Sequence, residues 1–169
     1  RSKIADEIRE AWKEADLILT TGGVSVGEKD LLPGVIENLT GNVLFHGIQV
    51  KPGMPTMLSV VKGTPVLSLS GNPFAVEALF EVLAGGYLTD MEASRYLQKN
   101  QMKILKQTFV KTGKMKRIVK GRCDESGVYL PQIQKNGQLK NGIGSNCLVI
   151  FPEGERTYTE GEAVRVIRI

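Results

Sequence analysis

The sequence has one histidine, His46, one tryptophan and two cysteines, Cys123 and Cys147. A single histidine excludes a histidine-based metal cluster. The cysteines lie far apart and without metal-ligand spacing. They fit free thiols in a reducing compartment, with a bridge between them left open. No apolar run approaches the roughly 20 residues that a membrane-spanning helix needs, and no signal-peptide pattern opens the chain. The expectation is a cytoplasmic protein with no membrane partner. Aromatic residues make up only 6% of the chain. The basic residues therefore lack the interleaved aromatics of single-strand nucleic-acid binders, and no nucleic-acid partner is expected. The net charge of +4 suits a solvated surface and is compatible with a small anionic ligand. No internal repeat or low-complexity stretch is present.

What is present is a chain of 169 residues, enough for one domain or two small ones. Residues 1–15 have Ile4, Ile8, Ala11, Trp12 and Ala15 at helical spacing, with charges opposite. A helix opening at residue 1 reads as the continuation of a longer chain. Leu17, Ile18 and Leu19 form a short apolar run, expected to be a strand buried on both faces of a parallel sheet. Thr20 to Asp30 (TTGGVSVGEKD) follows it directly. Gly22 and Gly23 permit a tight turn and close approach of a ligand, Gly27 extends that freedom, and Ser25 with unpaired N–H groups suits an anion. Asp30 returns a carboxylate to the same loop. The glycine spacing fits neither a Walker loop nor a dinucleotide fingerprint.

Further along, 31–39 predicts a short helix and 42–50 a strand. Lys51, Pro52, Gly53, Met54 and Pro55 form a rigid turn. Strands are expected over 57–61 and 66–69. The second runs into Ser70, Gly71, Asn72 and Pro73, with Asn72 as N-cap and Pro73 as first helical residue. That helix should stop at Gly85-Gly86. If the strands lie side by side, three loops meet at one rim of the sheet, where open α/β sheets bind ligands. His46, beside Phe45, reads as a half-buried packing residue rather than a ligand. Beyond a polar connector the pattern changes. Stretches 102–112, 116–122, 128–133, 147–151 and 163–169 read as short strands separated by glycine turns, which suggests a small barrel or sandwich.

The motifs TTGGVSVGEKD, VKPGMP and LSGNP, in this order and followed by NCLVIFPEGERTYTEGEAVRV, resemble the molybdopterin molybdenumtransferase family. The resemblance covers nearly the whole chain. It implies an α/β fold: an incomplete three-layer, mostly parallel sheet over residues 1–88, the C-terminal half of a molybdopterin-binding domain. A linker over 89–101 and a small all-β, barrel-like domain over 102–169 would follow. It implies insertion of molybdate into adenylylated molybdopterin with release of AMP, assisted by Mg2+. The resemblance gives Asp30 and Lys51 catalytic roles, with Asp30 as metal ligand. Gly22, Gly23, Ser25, Gly27, Pro52, Gly53, Ser70, Gly71, Asn72 and Pro73 become substrate-binding positions. Expected partners are a second copy in a homodimer and other cofactor-biosynthesis proteins. Departures stand at Gly47 and Met54, where the family often has lysines, at Ser70 for a proline, and at residues 133–136, where a Gly-Gln-Gly-Ser pattern is common. The alternative reading is a non-catalytic molybdopterin-binding or scaffold module on the same fold. A fragment lacking the family's preceding half is expected to be inactive alone.

Overall fold

The computed structural model describes residues 2–25, 27, 30–84, 99–131 and 144–169. The expected helix stop at Gly85-Gly86, nearly all of the 89–101 connector and the 133–136 stretch lie outside them. The chain divides into two compact units, Arg1–Ile48 with Gly53–Val76, and Gln49–Pro52 with Glu77–Ile169.

The first unit contains α1 (Ser2–Ala11), β1 (Ile18–Thr21), α2 (Leu32–Asn38), β2 (Asn42–His46), β4 (Met57–Val61) and β5 (Thr64–Leu69), and α3 (Pro73–Leu79) begins in it. The strands form one sheet in the order β1-β5-β4-β2. Only β1 and β5 are parallel; β5 with β4 and β4 with β2 are antiparallel. The described sheet is therefore mixed, not mostly parallel. Its cause is local. Lys62 and Gly63 both adopt positive φ, 52° and 90°, the backbone of a two-residue hairpin turn, and so β4 folds straight back into β5. Pro65 sits inside β5 but before the first rung with β1, Ile18 opposite Val66, so its missing N–H breaks no bond on that side.

The helical periodicity of the first residues is realised. Ala5 and Ile8 of α1 pack with Ile18, Val35, Ile36, Met57, Val61 and Val66 in one buried cluster, and Ile4, Ala11 and Trp12 flank it. Burial of β1 on both faces is not realised. Ile18 is buried, but Leu19 on the other face is 40% exposed, because β1 is an edge strand among the described residues.

The second unit is mostly β. It contains β3 (Val50–Lys51), β6 (Asn100–Ile104), β7 (Phe109–Lys111), β8 (Lys116–Cys123), β9 (Val128–Tyr129), β10 (Cys147–Phe151), β11 (Arg156–Tyr158) and β12 (Ala163–Arg168). One sheet runs β3-β8-β10-β12-β6, with β9 also on β8; β7 and β11 form a separate ribbon. The single strand expected over 102–112 is two, β6 and β7. The chain breaks at Leu105, which leaves β6 to bridge Val128. The strand expected over 42–50 also splits. At Gly47 φ is +97°, and beyond it Val50 and Lys51 join the second unit's sheet. β11 was hidden in the sequence between two glycine turns. Phe151 anchors the core, stacked on Phe109 with centroids 4.5 Å apart and meeting Tyr158 edge-on at 4.7 Å. Lys111 is also buried. Its ammonium donates to the carbonyls of Gly113 and Gly154, so it closes two turns with one cation.

Both thiols are buried in this core and unbridged, as the reading of free cysteines expected. Burial, with the Cys123 thiol alongside, pushes the Cys147 thiol up to about 12 from its usual 9.0. A raised thiol pKa leaves the group neutral at pH 8, and only the thiolate attacks. The folded chain should therefore resist iodoacetamide at pH 8 and take up two labels only in denaturant. Intact-mass measurement checks this; rapid labelling of the native chain would contradict it.

Candidate anion-binding site

Where β1 and β5 end, the backbone extends their ladder by one rung. Thr21 faces Leu69, and the Gly22 N–H donates to the Leu69 carbonyl at 2.9 Å. Both chains then leave the sheet through glycine. Gly22 (φ +81°) and Gly71 lie so close that a Cβ built on Gly71 would stand 3.4 Å from the Gly22 Cα. Gly23 also has positive φ, +65°, and its carbonyl accepts from the Leu32 N–H at 3.0 Å, which ties the loop to the start of α2. Val24 is buried in the first core, so the loop is pinned by a side chain as well.

The loop's N–H groups divide sharply. Gly22 is spent on Leu69, and Gly27 donates to the Asp30 carboxylate at 2.9 Å. No acceptor among the described residues takes the N–H of Gly23, Val24 or Ser25. Successive unpaired amides in a tight loop are a fitting receptor for an anion. Asp30 does not cap α2, whose N-cap is Leu31 with no side-chain bond; its carboxylate closes the loop instead. Asn72 does what its position predicted, its side-chain oxygen accepting from Ala75 N–H at 3.2 Å at the head of α3, with Pro73 as the first helical residue. The first unit thus brings Gly22, Gly23, Ser25, Gly27 and Asp30 together with Ser70, Gly71, Asn72 and Pro73 at the ends of two adjacent strands.

Lys51 and Pro52 belong to the second unit, while Gly53 belongs to the first, where its carbonyl accepts from the Thr56 hydroxyl at 2.7 Å. In the parallel pair β3–β8, Lys51 stands opposite Arg117. Two cations side by side repel each other, and neither has a carboxylate partner among the described residues. Arg117 is half-buried, and that burial lowers its pKa from the usual value. The pair has the character of an oxyanion site, since guanidinium offers a planar fork and ammonium a point charge. Arg117 was not singled out from the sequence. Its only trace there is the basic run Lys114 to Arg117, with no acidic residue in it. His46 was read as packing; it is exposed, and its Nε2 donates to the Val24 carbonyl at 2.7 Å.

Among the described residues no group of three His, Cys, Asp or Glu side chains could hold a metal ion, and no helix is long and apolar enough to cross a membrane.

Residues 1–90 match the family model described as "Probable molybdopterin binding domain". The chain belongs to that family. Similar curated proteins include the molybdopterin molybdenumtransferase of Bacillus subtilis (strain 168), 30% identical over 183 residues, covering 99% of this chain and 42% of that protein. The molybdopterin molybdenumtransferase of Staphylococcus aureus (strain COL) is 29% identical over 165 residues, covering 95% of this chain and 39% of its own length. Among solved structures, the molybdopterin biosynthesis moeA protein of Pyrococcus horikosii superposes with a TM-score of 0.78 at 28% identity, over 98% of this chain and 40% of that one. The chain spans about two fifths of the length of the curated relatives it matches.

The contact between the two glycine turns yields a matched pair of substitutions. Gly22→Ala places a side chain at positive φ, so it should cost about 1–2 kcal/mol. Gly34→Ala, inside α2 with nothing within 4 Å, should stabilise by up to about 1 kcal/mol. Urea denaturation of the two variants measures both, and equal effects would refute the strained-turn reading.

Proposed function

We propose that this chain acts in molybdenum cofactor biosynthesis as part of a molybdopterin molybdenumtransferase, which inserts molybdate into adenylylated molybdopterin and releases AMP. The observation that carries this reading is the run of unspent N–H groups at Gly23, Val24 and Ser25, set against Gly71 at the ends of a parallel strand pair. The substrate's linked phosphates supply the oxyanions such a loop binds. Molybdate, a tetrahedral oxyanion, would be held by Lys51 and Arg117. Within the first unit, Ser25, Ser70, Gly71 and Asn72 would bind the substrate's phosphates, and Pro52 and Gly53 would shape the turn that follows Lys51.

A magnesium ion fits these residues in one manner. Magnesium is commonly held by one or two carboxylates together with substrate phosphates and water. Asp30 supplies one carboxylate at the anion loop, and one of its oxygens is occupied by Gly27 N–H. Asp30 would hold the ion, which when bound neutralises phosphate charge. The division into 1–88, a connector over 89–101 and 102–169 is part of this reading. So is a layer on each face of the first sheet, which the burial of Leu67 and Leu69 opposite the α1–α2 face supports. The bridge between Leu105 and Val128, which links β6 back to β9, supports a barrel-like closure. A homodimer and a role for preceding residues of a longer chain belong to the same proposal.

Two observations favour the alternative of a binding module without turnover. Gly47, where the family often has a lysine, adopts φ +97°, a backbone that disfavours any side chain, and Met54 is exposed without charge. Molybdate-dependent AMP release by the full-length polypeptide decides between the two readings.

Two further outcomes are expected. Lys51→Ala and Arg117→Ala should each weaken molybdate binding about tenfold at low salt, the worth of a charge-assisted hydrogen bond. Raising the salt should narrow the gap for the exposed Lys51 more than for the half-buried Arg117. Calorimetric titration at two salt concentrations reads this, and parent-like affinity in both variants would remove the pair from the site. Asp30→Asn keeps the size of the side chain and removes its charge. It should raise the magnesium concentration needed for AMP release while leaving the unfolding midpoint within about 0.5 kcal/mol of the parent; an unchanged magnesium requirement would count against Asp30 as ligand.

A further inference from the structure

We infer that His46 is a positioning residue that sets the conformation of the anion loop; this rests on the proposed role of that loop. The residue lies at the far end of β2, 22 positions from Val24, yet its Nε2 donates to the Val24 carbonyl at 2.7 Å. Val24 is the centre of the three unspent amides. Its side chain is locked into the core; the imidazole on its carbonyl holds the Val24–Ser25 peptide, as the Leu32 N–H on the Gly23 carbonyl holds the Gly23–Val24 peptide. A loop held in this way presents its N–H groups before the anion arrives, which lowers the ordering cost of binding.

The strand is built to bring this about. β2 and β4 pair Val43 with Ser59, but the next pair is Phe45 with Leu58, so Leu44 is an extra residue. Side chains alternate along a strand, and a single inserted residue reverses the face of everything after it. Without the insertion, Phe45 would stand opposite Met57 and His46 would turn to the other face. With it, His46 stands opposite Met57, which faces Ser68, which faces Thr20. That row crosses the whole sheet on the face that also carries Ile18 and Val66, where Val24 packs. The inserted Leu44 is itself 55% exposed. Its effect is the aim of His46.

Because the chain has one histidine, its ring signals need no sorting from others. Nitrogen-15 NMR of the unaltered chain should show a ring proton held on Nε2 and protected from solvent; a ring that averages both tautomers would overturn the inference. His46→Leu and His46→Gln are then compared, the second retaining an N–H donor of similar reach. His46 is exposed, so neither change empties the core. The Gly27 and Leu32 amides report the loop's own bonds. Their hydrogen exchange should rise about fivefold in His46→Leu, the net worth of one hydrogen bond, and return toward the parent in His46→Gln. Affinity for inorganic pyrophosphate should follow the same order. Unchanged exchange in His46→Leu, or pyrophosphate affinity equal to the parent's despite faster exchange, would overturn the inference. Exchange reads the loop without any ligand. Failure of the parent itself to bind pyrophosphate would thus overturn the anion reading of the loop and be seen separately.

Discussion

The parallel pairing of β1 with β5 is the constraint on which the first unit depends. Four rungs join the strands, and the bond from Gly22 N–H to Leu69 O adds a fifth just beyond them. Parallel strands cannot be joined by a tight hairpin, so the chain must travel through α2, β2 and β4 before it returns as β5. The detour sends α2 across one face, supplies Val35, Ile36, Met57 and Val61 to the core, and delivers β2 with its histidine to the side of the loop. Gly22 and Gly71 meet only because both strands end at the same level. A Cβ at either position would rest in van der Waals contact with the other turn, 3.8 Å from the Gly71 Cα or 3.4 Å from the Gly22 Cα.

Charge is used differently in different parts of the molecule. Arg9 with Asp6 and Lys13 with Glu10 are exposed pairs one helical turn apart, worth a few tenths of a kcal/mol to about 1 kcal/mol. Lys120 with Glu77, at 2.5 Å, is less exposed. Lys111 is the opposite extreme: a buried ammonium satisfied by carbonyls, where losing either acceptor would strand a desolvated charge. Lys51 and Arg117 follow neither pattern. They sit in register on paired strands with no acid to offset them among the described residues. Two like charges directly opposite on paired strands are unfavourable to folding.

Much of this was legible in the sequence because it is governed locally. Ala5 and Ile8 repeat at helical spacing and are buried; Cys147 to Phe151 is an unbroken apolar run, and every residue of it is buried in a central strand. Asn72-Pro73 announces a helix start from two residues. The loop glycines were visible for the same reason, since φ near +80° is a property of single residues. What escaped depends on partners far away in sequence. β3 has two residues, too few to carry a period, and its identity as a strand comes from β8, whose paired residues lie 66 positions on. The opposition of Lys51 and Arg117 is a matter of register, which no local pattern encodes. β1 is apolar enough to suggest cover on both faces, but edge or centre is decided by the other strands. The single extra residue in β2 cannot be seen without β4 beside it, and so His46 looked like packing.

The two-residue strand has a consequence for how the molecule can be divided. The chain passes from the first unit to the second at residue 49, returns at 53 and leaves again after 76. Each unit is therefore assembled from two separate stretches of polypeptide. No single scission releases either one whole. A break near residue 76 would carry Val50 and Lys51 away with the wrong portion and strip β8, which holds Arg117, of its outermost neighbour.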